Sequence, residues 1–287
     1  MPTDKIECLT IEYKKIKLNR NETIRTHIEK ICKNDIMNFI SWNKINNRDH
    51  FDIGASGIIY KAKWTERDIV IALKAVPVSV ETDTDNDEFV KEIKAFHKIG
   101  LIHSNNEAIP PVGYENVVKF LGVSSDESEL YLVFEYADLG NMRHYLGQNT
   151  LNWEQKVNLA RQIICGLYFL HENEILHRDL HTQNVVIKMD KSFKDGTRAI
   201  IIDFGLSKVL SPIANKIISG AREKPINGTT ISFVELYTDC WDGNPNFRPD
   251  IKIIYKLMYQ KDMIYGEKWK QNPKIYVSDM DQTKPSE

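Results

Sequence analysis

The chain has 287 residues, 42% apolar and 27% charged, with a formal net charge of −2. This excludes a disordered or fibrous protein, leaves apolar side chains enough for one large or two small cores, and gives no general attraction to nucleic acid or an anionic membrane. No run approaches the roughly 18 apolar residues of a membrane span, and Met1-Pro2-Thr3-Asp4 opens no apolar signal core.

The basic group Lys14, Lys15, Lys17 and Arg20 reads as a solvated face. Cys8, Cys32, Cys165 and Cys240 lie too far apart for a paired metal site or a disulfide framework, so reduced thiols in the cytoplasm or nucleus are expected. In chain order, residues 1 to 47 form an extension in which Leu9, Ile11 and Tyr13 alternate. Ile24, Ile28, Ile31 and the Ile36-Phe39-Ile40 group then recur at helical spacing. From 48 to 137 the chain is strand-rich, with β-favouring runs at Ile58-Ile59-Tyr60, Ile69–Leu73, Val117–Leu121 and Leu130–Phe134. One helix interrupts them. Phe89, Ile93, Phe96 and Ile99 line its apolar stripe, and Asp85-Asn86-Asp87 supply its cap and first-turn acids. A polar loop with Pro110, Pro111 and Gly113 follows.

From 138 to 260 helical periodicity dominates. Val157, Leu159, Ile163, Ile164, Leu167 and Leu170 predict a long buried helix ending near His171. Val185-Val186-Ile187 and Ala199–Ile202 flank Asp195-Gly196, a pair suited to a reversal with φ > 0, so a hairpin is expected to bring Asn184 and Asp203 to neighbouring strand ends. Further helices are expected around Phe233 to Cys240 and Ile251 to Met258, before a loosely held tail over 261 to 287.

His177-Arg178-Asp179-Leu180-His181-Thr182-Gln183-Asn184, followed by Asp203-Phe204-Gly205, resembles the catalytic and metal-binding segments of eukaryotic protein kinases. The resemblance implies ATP and Mg²⁺ as cofactors, Asp179 as the group that accepts or orients the proton of the attacking hydroxyl, and Asn184 and Asp203 as metal ligands. Ile71-Ala72-Leu73-Lys74 resembles the third-strand element whose lysine reaches phosphates and whose Ala72 leaves room for adenine. Glu92 is implied as the helix partner of Lys74, with Glu88 one turn away as competitor. Phe51–Ile59 aligns with the glycine-rich loop, with Gly54 and Gly57 near phosphates and Asp52 where a first glycine is expected; a simple hairpin is the other reading. Leu132–Ala137 resembles the strand into the interlobe hinge, which implies that Phe134 guards the pocket and that the backbones of Glu135 and Ala137 bond adenine. His181 stands where Ser/Thr kinases carry Lys and Tyr kinases Ala, so the loop leaves the hydroxyl preference open. Tyr60–Trp64 and Cys240–Pro245 before Arg248-Pro249 look most like the tyrosine-kinase-like group.

The implied fold is α+β and bilobal, with a β-rich N-lobe (48–137) containing one regulatory helix and a shortened, mainly helical C-lobe (138–260). After Asp203 the activation segment, an Ala-Pro-Glu platform and the following buried helix are not recognisable, which reads as an internal deletion. Arg248, whose counterpart forms a buried ion pair with the platform Glu, is then expected to be an orphaned buried charge. Ser207, Ser211, Ser219, Thr229 and Thr230 read as ordinary loop hydroxyls, phosphorylation being the alternative. Three functions remain open: an active kinase working as a monomer on a protein substrate, a pseudokinase or regulatory isoform that binds nucleotide or a partner without turnover, and a nucleotide-independent interaction module.

Overall fold

A computed structural model describes residues 38–54, 57–75, 96, 98–99, 111–126, 129–203 and 222–268. The chain forms two compact units, one from residues up to Thr150 together with Gln162–Lys208, the other from Leu151–Arg161 and Val209 onward.

The first unit is built on an antiparallel sheet of β1 (Ile45–Gly54), β2 (Gly57–Trp64), β3 (Ile69–Ala75), β4 (Phe120–Ser125) and β5 (Leu130–Glu135), in the order β1-β2-β3-β5-β4. The period-two alternation of strands divides its side chains between two cores. Ile71, Leu73, Ala75, Tyr131 and Val133 enter one cluster with Ile40, Ile45, Ala62 and Trp64. Leu130, Leu132 and Phe134 enter the other, with Phe96, Ile99, Val117, Val118, Phe169, Leu170, Ile200 and Ile201. Residues of β5 are therefore buried on both faces, which explains its unbroken apolar run. Lys74 alternates with Leu73 and Ala75 along β3, in register with Leu132 of β5.

The segment before β1 differs from the helical spacing read at Ile36-Phe39-Ile40. Phe39 makes a parallel bridge to Val123, Ile40 N–H donates to Val123 O at 2.8 Å, and Val123 N–H donates to Asn38 O at 2.9 Å. Pairing with the open edge of β4 outweighs the local period, and Gly122 permits it. At φ +143 any Cβ there would sit 2.2 Å from Asn38 O. A short 3₁₀ turn, Trp42–Lys44, then stacks Trp42 on Tyr131 with ring centres 5.0 Å apart. Arg48 lies 4.3 Å over the Tyr60 ring and bonds the Tyr131 hydroxyl, which also meets Asp126 and Glu129 at 2.9 Å. Burial, then those acids, hold the Tyr131 phenol protonated well above its ordinary range. Residues 38–44 are thus a strap across one face of the sheet.

Val117 and Val118 do not belong to β4 as the apolar run suggested. Val117 bridges Ile201, and Val118 N–H donates to Ile201 O at 2.9 Å, because β7 offers a free edge there. The expected hairpin is present as β6 (Val185–Met189) and β7 (Thr197–Ile201), reversed with Gly196 at φ +69. Its other flank is Leu139–Asn141, where Leu139 N–H donates to Ile187 O and Ile187 N–H to Gly140 O. Asn141 caps a short helix, α1 (Met142–Gln148), by accepting from His144 N–H. The long helix α2 (Trp153–Glu172) has the expected extent. Phe96 and Ile99 are helical and buried; the rest of the helix read around Phe89 lies outside the described residues.

The second unit contains α3 (Ile231–Cys240), α4 (Ile251–Met258) and a single turn, α5 (Asp262–Tyr265). Trp153 Nε1–H and the Thr230 hydroxyl both donate to Met263 O, and Arg161 Nε–H donates to Met258 O at 2.7 Å. Asp250 caps α4 by accepting from Lys252 N–H. The α+β composition implied by the motifs is what the described residues adopt, a five-stranded sheet ahead of the helices and a hairpin after α2. Among the described residues Cys165 and Cys240 form no disulfide, and no helix is long and apolar enough to cross a membrane.

Candidate functional site

Lys74, Asp179, Asn184 and Asp203 all belong to the first unit, and the geometry around them is set largely by main chain. Lys74, 6% exposed, points its Nζ to Asp203 Oδ1 at 2.7 Å across 129 positions of sequence. Ile202 N–H donates to Asn184 O at 3.0 Å, which closes the open end of the hairpin and sets Asn184 beside the residue before Asp203. Asn184 Nδ2 donates to Asp179 O at 2.9 Å and to Asp179 Oδ2 at 3.0 Å. Both partners only accept, so they fix the amide orientation and leave Oδ1 for another ligand.

Arg178 and Asp203 adopt φ of 64° and 56°, the left-handed region that non-glycine residues rarely enter. Each such conformation costs about 1 kcal/mol or more and persists only where the surroundings over-determine it. His177 is part of those surroundings. Its Nε2 lies 2.9 Å from Ile202 O, and its Nδ1 accepts from Asp179 N–H at 3.2 Å. A carbonyl can only accept, so the proton sits on Nε2 and the ring is neutral. One buried imidazole thereby ties the loop bearing Asp179 to the residue preceding Asp203.

Burial lowers the His177 pKa from 6.5 against smaller opposing contributions from Ile202 O, Asp179 and Asp203. The unfolded chain then binds the proton more readily than the folded one. Stability is at full value above pH 6.5, falls as pH drops below it with a slope of at most about 1.4 kcal/mol per pH unit, and levels off beneath the folded pKa. Urea midpoints between pH 5 and 8 should show this fall, and His177→Gln should remove that part of it.

Asn184 and Asp203 supply two hard oxygen ligands rather than a full cage, a set that fits a divalent cation completed by phosphate oxygens and water. Among the described residues no group of three or more His, Cys, Asp or Glu stands together. His181 Nε2 is 3.5 Å from Asp179 Oδ2, while its Nδ1 accepts from Gln183 N–H.

Ala72 pairs in register with Phe134, which packs edge-on against Phe96 at 4.9 Å. Beyond it the backbone expectation for Glu135 is narrowed. Its N–H already donates to Lys119 O at 3.0 Å, so only its carbonyl is left for a base. The signal missed in the sequence is the Glu135 side chain, which meets Lys188 and Arg198 at 3.0 and 2.8 Å. Ala137 is half-buried just past the strand. Gly54 and Gly57 are register partners at the end of the β1–β2 hairpin, with Ala55 and Ser56 outside the described residues. Glu92, Glu88, Phe204, Gly205, Ser207, Ser211 and Ser219 also lie outside them.

One expectation changes. Arg248 is not a buried orphan: it is exposed, and its Nε–H donates to Asp242 O at 2.8 Å, so the desolvation penalty does not arise. Thr229 and Thr230 are buried, Thr230 completely, which favours structural hydroxyls over modification sites.

Among curated proteins the chain is 29% identical to LIM domain kinase 1 of Drosophila melanogaster over 54% of its own length and 11% of that protein's. It is 30% identical to the L-type lectin-domain containing receptor kinase S.5 of Arabidopsis thaliana over 60% of its length and 23% of the relative's. It is 34% identical to the LRR receptor-like serine/threonine-protein kinase RGI5 of Arabidopsis thaliana over 55% and 14%. The chain spans less than a quarter of these relatives. The protein kinase domain family matches residues 46–223, more than half of the chain and all of the clustered side chains from Lys74 to Asp203. With a lysine on the third strand bonded to an aspartate after the hairpin, and that match around both, the chain belongs to the protein kinase domain family.

Proposed function

We propose that this chain is a protein kinase of the tyrosine-kinase-like group that transfers the γ-phosphoryl group of Mg-ATP to a Ser/Thr hydroxyl of a protein, working as a monomer in the cytoplasm. The observation that carries this reading is the Lys74–Asp203 contact at 2.7 Å beside the Asn184–Asp179 pair at 3.0 Å. Those two pairs gather an amine, an amide and two carboxylates, the groups that phosphotransfer would use, and so support the reading. Asp179 takes or orients the hydroxyl proton, Lys74 holds phosphate oxygens, and Ala72, the Glu135 carbonyl and Ala137 receive the base. Gly54 and Gly57 let backbone N–H groups approach phosphate, and Glu92 completes the Lys74 pairing. Asn184 and Asp203 would hold Mg²⁺, which would supply neutralising charge for the phosphoryl group.

The internal deletion belongs to the same proposal. Leu176 and Leu180, on either side of Asp179, are 53% and 40% exposed, which supports a missing covering helix. The same exposure favours a second reading, nucleotide binding without turnover, because a catalytic loop without its support loses positional precision.

The test is phosphate transfer from labelled Mg-ATP to a general protein substrate, with EDTA as control and the melting temperature followed in parallel. Metal-dependent incorporation is expected. A melting shift without incorporation would select the non-turnover reading, and indifference to nucleotide would select the interaction module.

A further inference from the structure

A charge pattern behind the base side of the site is not explained by phosphotransfer itself. Lys188 of β6 and Arg198 of β7 stand directly opposite each other in the hairpin register. Like charges facing across a strand pair destabilise it. Both cations are drawn to one carboxylate: Glu135 Oε2 meets Lys188 Nζ at 3.0 Å and Arg198 Nη2 at 2.8 Å. The Glu135 side chain is only 11% exposed, and Arg198 13%. The other carboxylate oxygen, Oε1, accepts from Lys119 N–H at 3.1 Å. Arg198 reaches further, donating from Nη1 to Glu115 O at 2.8 Å and approaching Asp190 Oδ2 with Nε at 3.2 Å.

We propose that Glu135 is a positioning residue that couples the base side of the site to its metal side, by neutralising the Lys188/Arg198 pair and so fixing the β6–β7 hairpin against the end of β5. This rests on the phosphotransfer reading above. Residue 135 ends the strand that carries Phe134 and leads on to Ala137, whereas the hairpin carries Asn184 and Asp203 at its open end. A nucleotide with its metal touches both halves at once; a nucleoside touches only the first. The distance between the halves therefore matters to one ligand and not to the other. Main-chain bonds from Leu139, Ile187 and Val118 hold the hairpin in place when the carboxylate is neutralised, so its removal shifts the hairpin rather than releasing it.

The test compares adenosine with Mg-ADP on the full chain by calorimetry. In Glu135→Gln, which keeps an acceptor for Lys119 N–H but leaves the two cations facing each other with Asp190 as the remaining nearby acid, Mg-ADP should bind roughly ten-fold more weakly while adenosine changes less than about two-fold. Adding Lys188→Gln to that variant removes one of the opposed cations and should recover part of the Mg-ADP affinity. Equal weakening of both ligands, no weakening of either, or no recovery in the double variant would overturn the proposal. Wild-type protein that binds Mg-ADP yet transfers no phosphate would sink the phosphotransfer reading alone, since binding is the only readout used for Glu135. Wild-type protein indifferent to both ligands would overturn the two together.

Discussion

Asp179→Asn is expected to lower phosphate transfer by about 10²–10⁴-fold, the usual contribution of a positioned general base, while leaving the melting temperature and Mg-ATP binding close to wild type. The reason lies in what the substitution keeps. An asparagine at 179 has the same shape and still offers an oxygen to Asn184 Nδ2, which donates to both the carboxylate and the carbonyl of residue 179. Its N–H still meets His177 Nδ1. What disappears is the only group at that position able to accept a proton, along with the negative charge 3.5 Å from His181 Nε2. Single-turnover transfer at saturating Mg-ATP reads the chemical step without product release. A variant that transfers as fast as the parent would remove Asp179 from the mechanism. Parallel loss of transfer and of nucleotide-induced stabilisation would instead mark it as an organiser of the site.

The parts of the fold written in short-range pattern were the legible ones. The β6–β7 hairpin follows from two β-branched runs around Asp195-Gly196, and its closure put Asn184 and Asp203 where sequence reading expected them. The side-chain alternation of β3 separated Lys74 from Leu73 and Ala75 in the same way. Long-range pairing was not legible. Val117 and Val118 read as the start of β4, yet they serve the free edge of β7, a choice made by backbone hydrogen-bonding need rather than by propensity. The sequence points only to the backbone of Glu135, because nothing local marks a hinge acid as a counter-ion. A signal did exist: Lys188 and Arg198 face each other once the hairpin turn is placed at Gly196, and such a pair calls for an acid from elsewhere in the fold. Arg248 departs from expectation for the converse reason. Burial belongs to the surroundings, which the local sequence does not show, and here the guanidinium stays in water.

Removing residues 1–44 is expected to cost about 5 kcal/mol or more, comparable with the whole stability of an ordinary domain, so the shortened chain should fail to unfold cooperatively. Ile40 is 2% exposed in the cluster containing Ile71, Leu73 and Val133, and burying such a side chain is worth about 1.5–3 kcal/mol before any cavity is counted. Trp42 stacks on Tyr131, whose fully buried ring would otherwise face solvent on that side. The paired bonds between Val123 and the Asn38–Ile40 backbone would be lost as well, reopening the edge of β4. Lys44 to Glu66 adds little, being exposed on both sides. If the strap is responsible, Ile40→Ala with Trp42→Ala in the full chain should reproduce most of the loss in urea midpoint. Near-parental stability of that double variant would assign the effect elsewhere. Because β3 and β5 each send alternate side chains to the strap face and to the Lys74 face, loosening the first should also blur the second. The double variant should then show weaker Mg-nucleotide binding, although no residue it alters touches Lys74, Asn184 or Asp203.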